Sequence, residues 1–109
     1  MLFRSVARSR EAAAQAGVSD RVRFDLGDIF EADLRPATIV TFYLLPPFLE
    51  RLAPKLGREL APGTRIVAHD FPLPGWAPAR VVEFEDAEKA ATVYVARTSL
   101  FLYVVPPRS

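Results

Sequence analysis

The chain has 109 residues, 50% hydrophobic and 25% charged, enough for one domain that buries roughly two-thirds of the surface exposed by its unfolded form. Lys and Arg number 14 against 13 Asp and Glu, and a formal net charge of +1 leaves no surplus for a run of phosphates, so nonspecific nucleic-acid binding is disfavoured. Cysteine is absent and His69 is the lone histidine, which excludes disulfides, thiolate metal sites and a cysteine nucleophile, and no metal ligand set is expected.

Met1 to Val6 lack the basic, apolar and small-residue succession of a secretory leader, and no apolar run approaches the roughly 20 residues of a membrane span. The compartment is otherwise undetermined, with cytoplasm the default expectation. Ser5 to Ala16 combines strong helix formers with a small-residue face, Ala12, Ala13, Ala14 and Ala16, and reads as a helix ended by Gly17. Val22, Phe24 and Leu26 alternate with Arg21, Arg23 and Asp25, the period-two pattern of a strand covered on one face and closed by Gly27-Asp28. Ala37 to Leu45 is uncharged and rich in Ile, Val, Thr and aromatics, which predicts a strand buried on both faces of an α/β sheet.

Pro46-Pro47 reads as the stop of that strand. Phe48, Leu49, Leu52, Leu56 and Leu60 then recur at helical spacing, with Pro54 near a kink or a helix start. Pro62-Gly63 is a turn, Arg65 to Phe71 a short strand around Ile66-Val67-Ala68, and Pro72, Pro74 and Gly75 end it. Beyond Trp76, strand-like segments cover Arg80 to Phe84, Thr92 to Ala96 and Ser99 to Val105, the last two suited to an antiparallel hairpin. Helix, strand, strand, helix, strand and hairpin imply a layered α/β fold with a mostly parallel sheet.

Three segments carry a resemblance: Val6-Ala7-Arg8-Ser9-Arg10-Glu11-Ala12 running to Gly17-Val18, Val22-Arg23-Phe24 to Gly27-Asp28-Ile29-Phe30, and Thr38 to Pro46. Together they resemble a class I S-adenosylmethionine-dependent methyltransferase from just after its second strand. Within that superfamily Tyr43-Leu44-Leu45-Pro46, Pro54-Lys55-Leu56, Pro62 to Val67, His69-Asp70-Phe71 and Trp76 resemble the branch of protein-lysine methyltransferases acting on mitochondrial membrane proteins, with their bacterial relatives. The implied fold is a Rossmann-like methyltransferase sheet lacking its first two strands, residues 1–109 being one partial domain. The glycines, at 17, 27, 57, 63 and 75, form no glycine-rich cofactor turn. The resemblance places the first strand beside the fourth and the second between first and third. The strand at Val22 to Leu26 would then be orphaned, and exposed edges there and along Ala37 to Leu45 would favour self-association.

The same resemblance implies S-adenosylmethionine as cofactor, with Asp28 accepting a hydrogen bond from the adenine amino group and Gly27, Ile29 and Phe30 beside it. Asp28 also reads as a helix cap completed by Glu31, and Phe30 as core packing. Tyr43 stands where open α/β sheets place ligands, at a strand's C-terminal end, and is the candidate catalytic residue; a buried aromatic is its plain alternative. Pro46, His69 and Trp76 are candidate substrate contacts, and Trp76 equally suits loop packing. Leu45-Pro46-Pro47-Phe48 is similar to the Asn/Asp-Pro-Pro-aromatic motif of nucleic-acid amino-methyltransferases, but Leu45 has no acceptor oxygen. His69-Asp70 lacks a Ser or Cys nucleophile partner, which argues against a hydrolase. The acceptor is expected to be a protein or small molecule, with no metal and no nucleic acid. The rival reading is a noncatalytic α/β module that completes its sheet with a partner; a nicotinamide-dependent oxidoreductase shares the layers but not these strand-end residues.

Overall fold

The structure, a computed structural model, describes residues 2–85 and 97–107. Its elements are α1 (Leu2–Gln15), β1 (Ile39–Phe42), α2 (Pro46–Glu59), β2 (Arg65–His69), β3 (Arg80–Glu85) and β4 (Arg97–Val104). They fall into two compact units, residues 1–32 and 33–109, and all four strands belong to the second.

In the first unit α1 stops one residue before the expected end. Gly17, at φ +73°, receives the chain in a left-handed turn, with Gly17 N–H donating to Ala14 O at 3.2 Å and Val18 N–H to Ala13 O at 3.0 Å. These two bonds are the Schellman pattern that satisfies the last helical carbonyls. The strand expected over Val22 to Leu26 does not form: these residues enter no ladder, and Val22 and Leu26 stay exposed. Alternation alone does not make a strand, because its backbone groups need a neighbour. Here the Phe24 carbonyl is taken instead by the Arg10 guanidinium, from Nε at 3.2 Å and Nη2 at 2.7 Å.

The second unit is a sheet in the order β1-β2-β4-β3. β1 and β2 are parallel, β4 is antiparallel to both β2 and β3, and α2 is the crossover from β1 to β2. β1 is shorter than its sequence pattern and is not buried on both faces; it is the sheet's edge, with Ile39 half-exposed. Its apolar residues are those of a central strand, yet among the described residues it has one neighbour, β2. β4 pairs antiparallel with β3 on its outer side; the expected hairpin partner at Thr92 to Ala96 lies outside the described residues.

Pro46 and Pro47, read as a strand stop, also start α2, where their fixed φ suits the first turn and a missing N–H costs nothing. Leu49, Leu52, Ala53 and Leu56 form its buried stripe, and Ile66, Ala68, Tyr103 and Val105 the buried face of the sheet. Trp76 links the two: its ring lies 6.2 Å from that of Tyr103, and its Cζ2 3.6 Å from where a Cβ on Gly57 would stand. The buried Tyr103 hydroxyl accepts the Leu73 N–H at 2.8 Å, which fixes the loop after β2. Pro62-Gly63 is a type II turn, with Gly63 at φ +88° and Thr64 N–H donating to Ala61 O at 3.1 Å.

Lys55, buried on α2, pairs with Glu59 one turn later, and Glu59 also accepts the Leu34 N–H at 3.1 Å. The Lys55 hydrogen bond, then the Leu34 amide, hold the Glu59 carboxyl below its usual range. A carboxyl lowered in the folded state stabilises above its unfolded value of about 4.3, and that contribution is lost as pH falls through the folded value. Urea midpoints measured from neutral to acid pH are therefore expected to fall less steeply below about pH 4.3 in Glu59→Gln than in the wild type. Parallel profiles would remove Glu59 from the acid response. No helix among the described residues is long and apolar enough to cross a membrane.

Candidate functional site

The sequence candidates divide between the two units. In the first, Gly27, Asp28 and Ile29 line an open depression of about 390 Å³ together with Asp25, Glu31 and Ala32. Asp28 Oδ1 accepts the Phe30 N–H at 2.9 Å, and its main-chain oxygen accepts Glu31 N–H and Ala32 N–H, each at 3.0 Å. This is the single capped turn that the D-x-x-E pattern allows, although Glu31 contributes its backbone rather than its side chain. The turn occupies one carboxylate oxygen and holds the group at the rim of the depression. Phe30 closes the turn through its amide and does not line the depression. Gly27 has no left-handed φ, and a Cβ there would meet no atom within 4 Å. Neither conformation nor internal packing requires glycine at that position.

In the second unit the parallel register Phe42↔Ala68 brings the next residues, Tyr43 and His69, side by side at the strands' C-terminal ends. Their rings meet edge to face at 4.1 Å between centroids, and Phe71 lies 6.2 Å from Tyr43 on a tilted plane. The Tyr43 hydroxyl donates to Asp70 Oδ2 at 3.0 Å, while Ser99 N–H donates to Asp70 Oδ1 at 3.0 Å. Tyr43 is 56% exposed, so it is not the buried aromatic of its plain alternative. Its side chain stands in a cluster with an imidazole and a carboxylate.

Asp70 is the residue that sequence reasoning missed. Alternation along a strand sets His69 and Asp70 on opposite faces, but β2 ends at His69 and Asp70 turns out of it at φ +66°. Left-handed backbone is uncommon outside glycine, with Asp among the residues that tolerate it, and such conformations cluster at functional sites. A polar residue just past Ile-Val-Ala-His and just before Pro72 was the available signal.

Pro46 lies three residues beyond Tyr43 at the start of α2, and Leu45, the preceding cap residue, makes no side-chain cap hydrogen bond. Trp76 does not join the cluster. It packs with Tyr103 on the sheet face that carries Ile66 and Ala68, whereas His69 alternates with Ala68 onto the other face. No group of three potential ligands able to hold a metal ion occurs among the described residues.

A β-α-β crossover between parallel strands, antiparallel strands beyond it, and Gly-Asp-Ile-Phe followed by Tyr-Leu-Leu-Pro at segment ends define part of a class I methyltransferase domain. The family model of the ANTKMT methyltransferase domain matches residues 3–80, and the chain belongs to that family. A protein-lysine N-methyltransferase of Saccharolobus islandicus (strain REY15A) is 45% identical over 91 residues, 81% of this chain and 56% of that protein. The adenine nucleotide translocase lysine N-methyltransferase of Mus musculus is 39% identical over 77 residues, 71% of this chain and 34% of that protein. Among solved structures, an RNA methyltransferase of Salinibacter ruber in complex with S-adenosyl-L-homocysteine superposes with a TM-score of 0.79 at 40% identity. That match covers 95% of this chain and 61% of the other. The chain thus spans a little over half the length of the first relative and about a third of the second.

Proposed function

We propose that the chain forms part of an S-adenosylmethionine-dependent N-methyltransferase whose acceptor is the side-chain amine of a protein lysine. The observation that carries this reading is the exposed Tyr43 hydroxyl, held by Asp70 and flanked by His69 at the ends of two parallel strands, in a chain of this family. Gly27, Asp28 and Ile29, with the turn closed by Phe30, are the residues proposed to hold the adenosine. The depression there is acidic, which suits a ligand presenting an amino group, and Gly27 leaves room for it.

Bound there, S-adenosylmethionine supplies a methyl group on a sulfonium sulfur. Such displacement demands alignment more than acid-base strength. The phenol oxygen of Tyr43 is placed to accept a hydrogen bond from an amine, with the His69 and Phe71 rings beside it.

A second reading is an RNA acceptor, favoured by the name of the Salinibacter relative. The near-neutral charge and Leu45 in place of an acceptor residue weigh against it. We also place the protein in the cytoplasm, and we propose that it self-associates through the outer edge of β1; an apolar edge strand bounded by one neighbour supports this. Sedimentation at rising concentration is expected to reveal dimers or larger species, and a monomer at every concentration would remove that part. Calorimetric titration of the folded chain with S-adenosylmethionine and S-adenosylhomocysteine tests the main reading. Micromolar binding, followed by transfer of labelled methyl to a lysine peptide rather than to RNA, is the expected result. Label in RNA alone would select the second reading; no binding by folded protein would sink the cofactor assignment and favour the noncatalytic module.

A further inference from the structure

We infer that Asp70 is the positioning residue of the acceptor site: its carboxylate fixes the Tyr43 hydroxyl so that the phenol oxygen presents an acceptor to an incoming primary amine. The inference rests on the methyltransferase reading for the amine, but not for the link between the two side chains.

Three observations converge on Asp70. An ionised carboxylate only accepts, so in the 3.0 Å bond between Tyr43 and Asp70 the phenol proton points at Oδ2. The phenol's lone pairs are thereby turned away from the carboxylate. Asp70 is itself held from outside the cluster, since the Ser99 amide of β4 donates to Oδ1 at 3.0 Å and the Asp70 amide donates to Ser99 O at 2.7 Å. Finally, the φ of +66° carries the side chain out of the strand's alternation, so that it reaches the same aromatic ring that His69 meets from within the strand. A carboxylate that only faced solvent would require none of this, and left-handed backbone is uncommon outside glycine.

The chemistry that such a phenol oxygen serves is orientation. A neutral primary amine donates one N–H to it, which aims the nitrogen lone pair away from Tyr43. The lone pair forms the new N–C bond as the C–S bond of the sulfonium donor breaks and its electron pair remains on sulfur. One proton on the nitrogen then passes to water. The nearby carboxylate sets a negative field that repels a carboxylic or phosphate acceptor.

Two measurements test this. With tyrosine isotope-labelled at Cζ, the Tyr43 resonance of the 109-residue chain is followed through the ordinary phenol range around pH 10. A neighbouring negative charge disfavours phenolate, so Tyr43 is expected to titrate lower in Asp70→Asn by roughly half a unit or more. Equal titration in both proteins would overturn the inference whatever the enzyme does. In the enzyme carrying the chain, Asp70→Asn and Tyr43→Phe are each expected to lower kcat about tenfold with donor affinity unchanged. The double variant is expected to be no worse than Tyr43→Phe, because Asp70 acts through Tyr43. Full additivity, or an unchanged kcat, would overturn the positioning role. A wild type that binds donor but methylates no amine would overturn the acceptor assignment while the titration still judged the Asp70–Tyr43 link.

Discussion

Replacing Asp28 by Ala is expected to weaken S-adenosylhomocysteine binding about 10- to 100-fold, while Asp28→Asn weakens it nearly as much without loosening the local turn. A hydrogen bond to a charged group contributes about 1.5–3 kcal/mol, and each 1.4 kcal/mol is tenfold in affinity. The two variants separate the local turn from the proposed contact with adenine. Asn keeps an oxygen for the Phe30 amide, so the turn that accepts at 2.9 Å survives. Its amide nitrogen, however, can only donate, and meets the adenine amino group donor to donor. Calorimetry gives the affinity, and amide exchange at Phe30 reports the turn. Equal binding by wild type and Asp28→Asn would reduce Asp28 to a cap.

Leu56→Ala is expected to cost about 2–5 kcal/mol, a large fraction of a typical domain's 5–15 kcal/mol. Leu56 is 0% exposed at the centre of the α2 stripe, between Leu52 and Leu60, which are equally enclosed. Truncation removes apolar contacts and leaves a cavity that the sheet on one side and the helix backbone on the other cannot close. Phe48→Ala is the control: it sits on the same helix but is 44% exposed, and its loss is expected to cost less than about 1 kcal/mol. Urea unfolding of the two variants gives the comparison, and similar losses would place the core elsewhere.

What the sequence could tell followed from where each element finds its neighbours. α2 and β2 were legible because their apolar periodicity is satisfied inside the second unit: Leu49, Leu52 and Leu56 meet the face that Ile66 and Ala68 present. Val22 to Leu26 and Ala37 to Leu45 carry equally good strand patterns, but a pattern records the face a segment can bury, not whether a partner strand is there. One segment forms no ladder and the other an edge. The site divided in the same way. Tyr43's place at a strand end was readable, and so was the capped turn at Asp28. The Tyr43–Asp70 hydrogen bond was not, because it depends on the residue at which β2 stops and on a backbone angle that composition does not encode. Trp76 looked like a site aromatic only because a sequence does not say which face of a sheet a loop crosses.

The double proline that opens α2 has a chemical corollary. The start of a helix ordinarily offers unsatisfied amides that cradle carboxylates and phosphates. Here the first two helical positions, Pro46 and Pro47, have no N–H, and the third, Phe48, already donates to Leu45 O at 3.0 Å. A helix that begins a few residues from Tyr43 is therefore sealed against anions. What stands beside Tyr43 is a helix start without the amide cradle that a phosphate would seek.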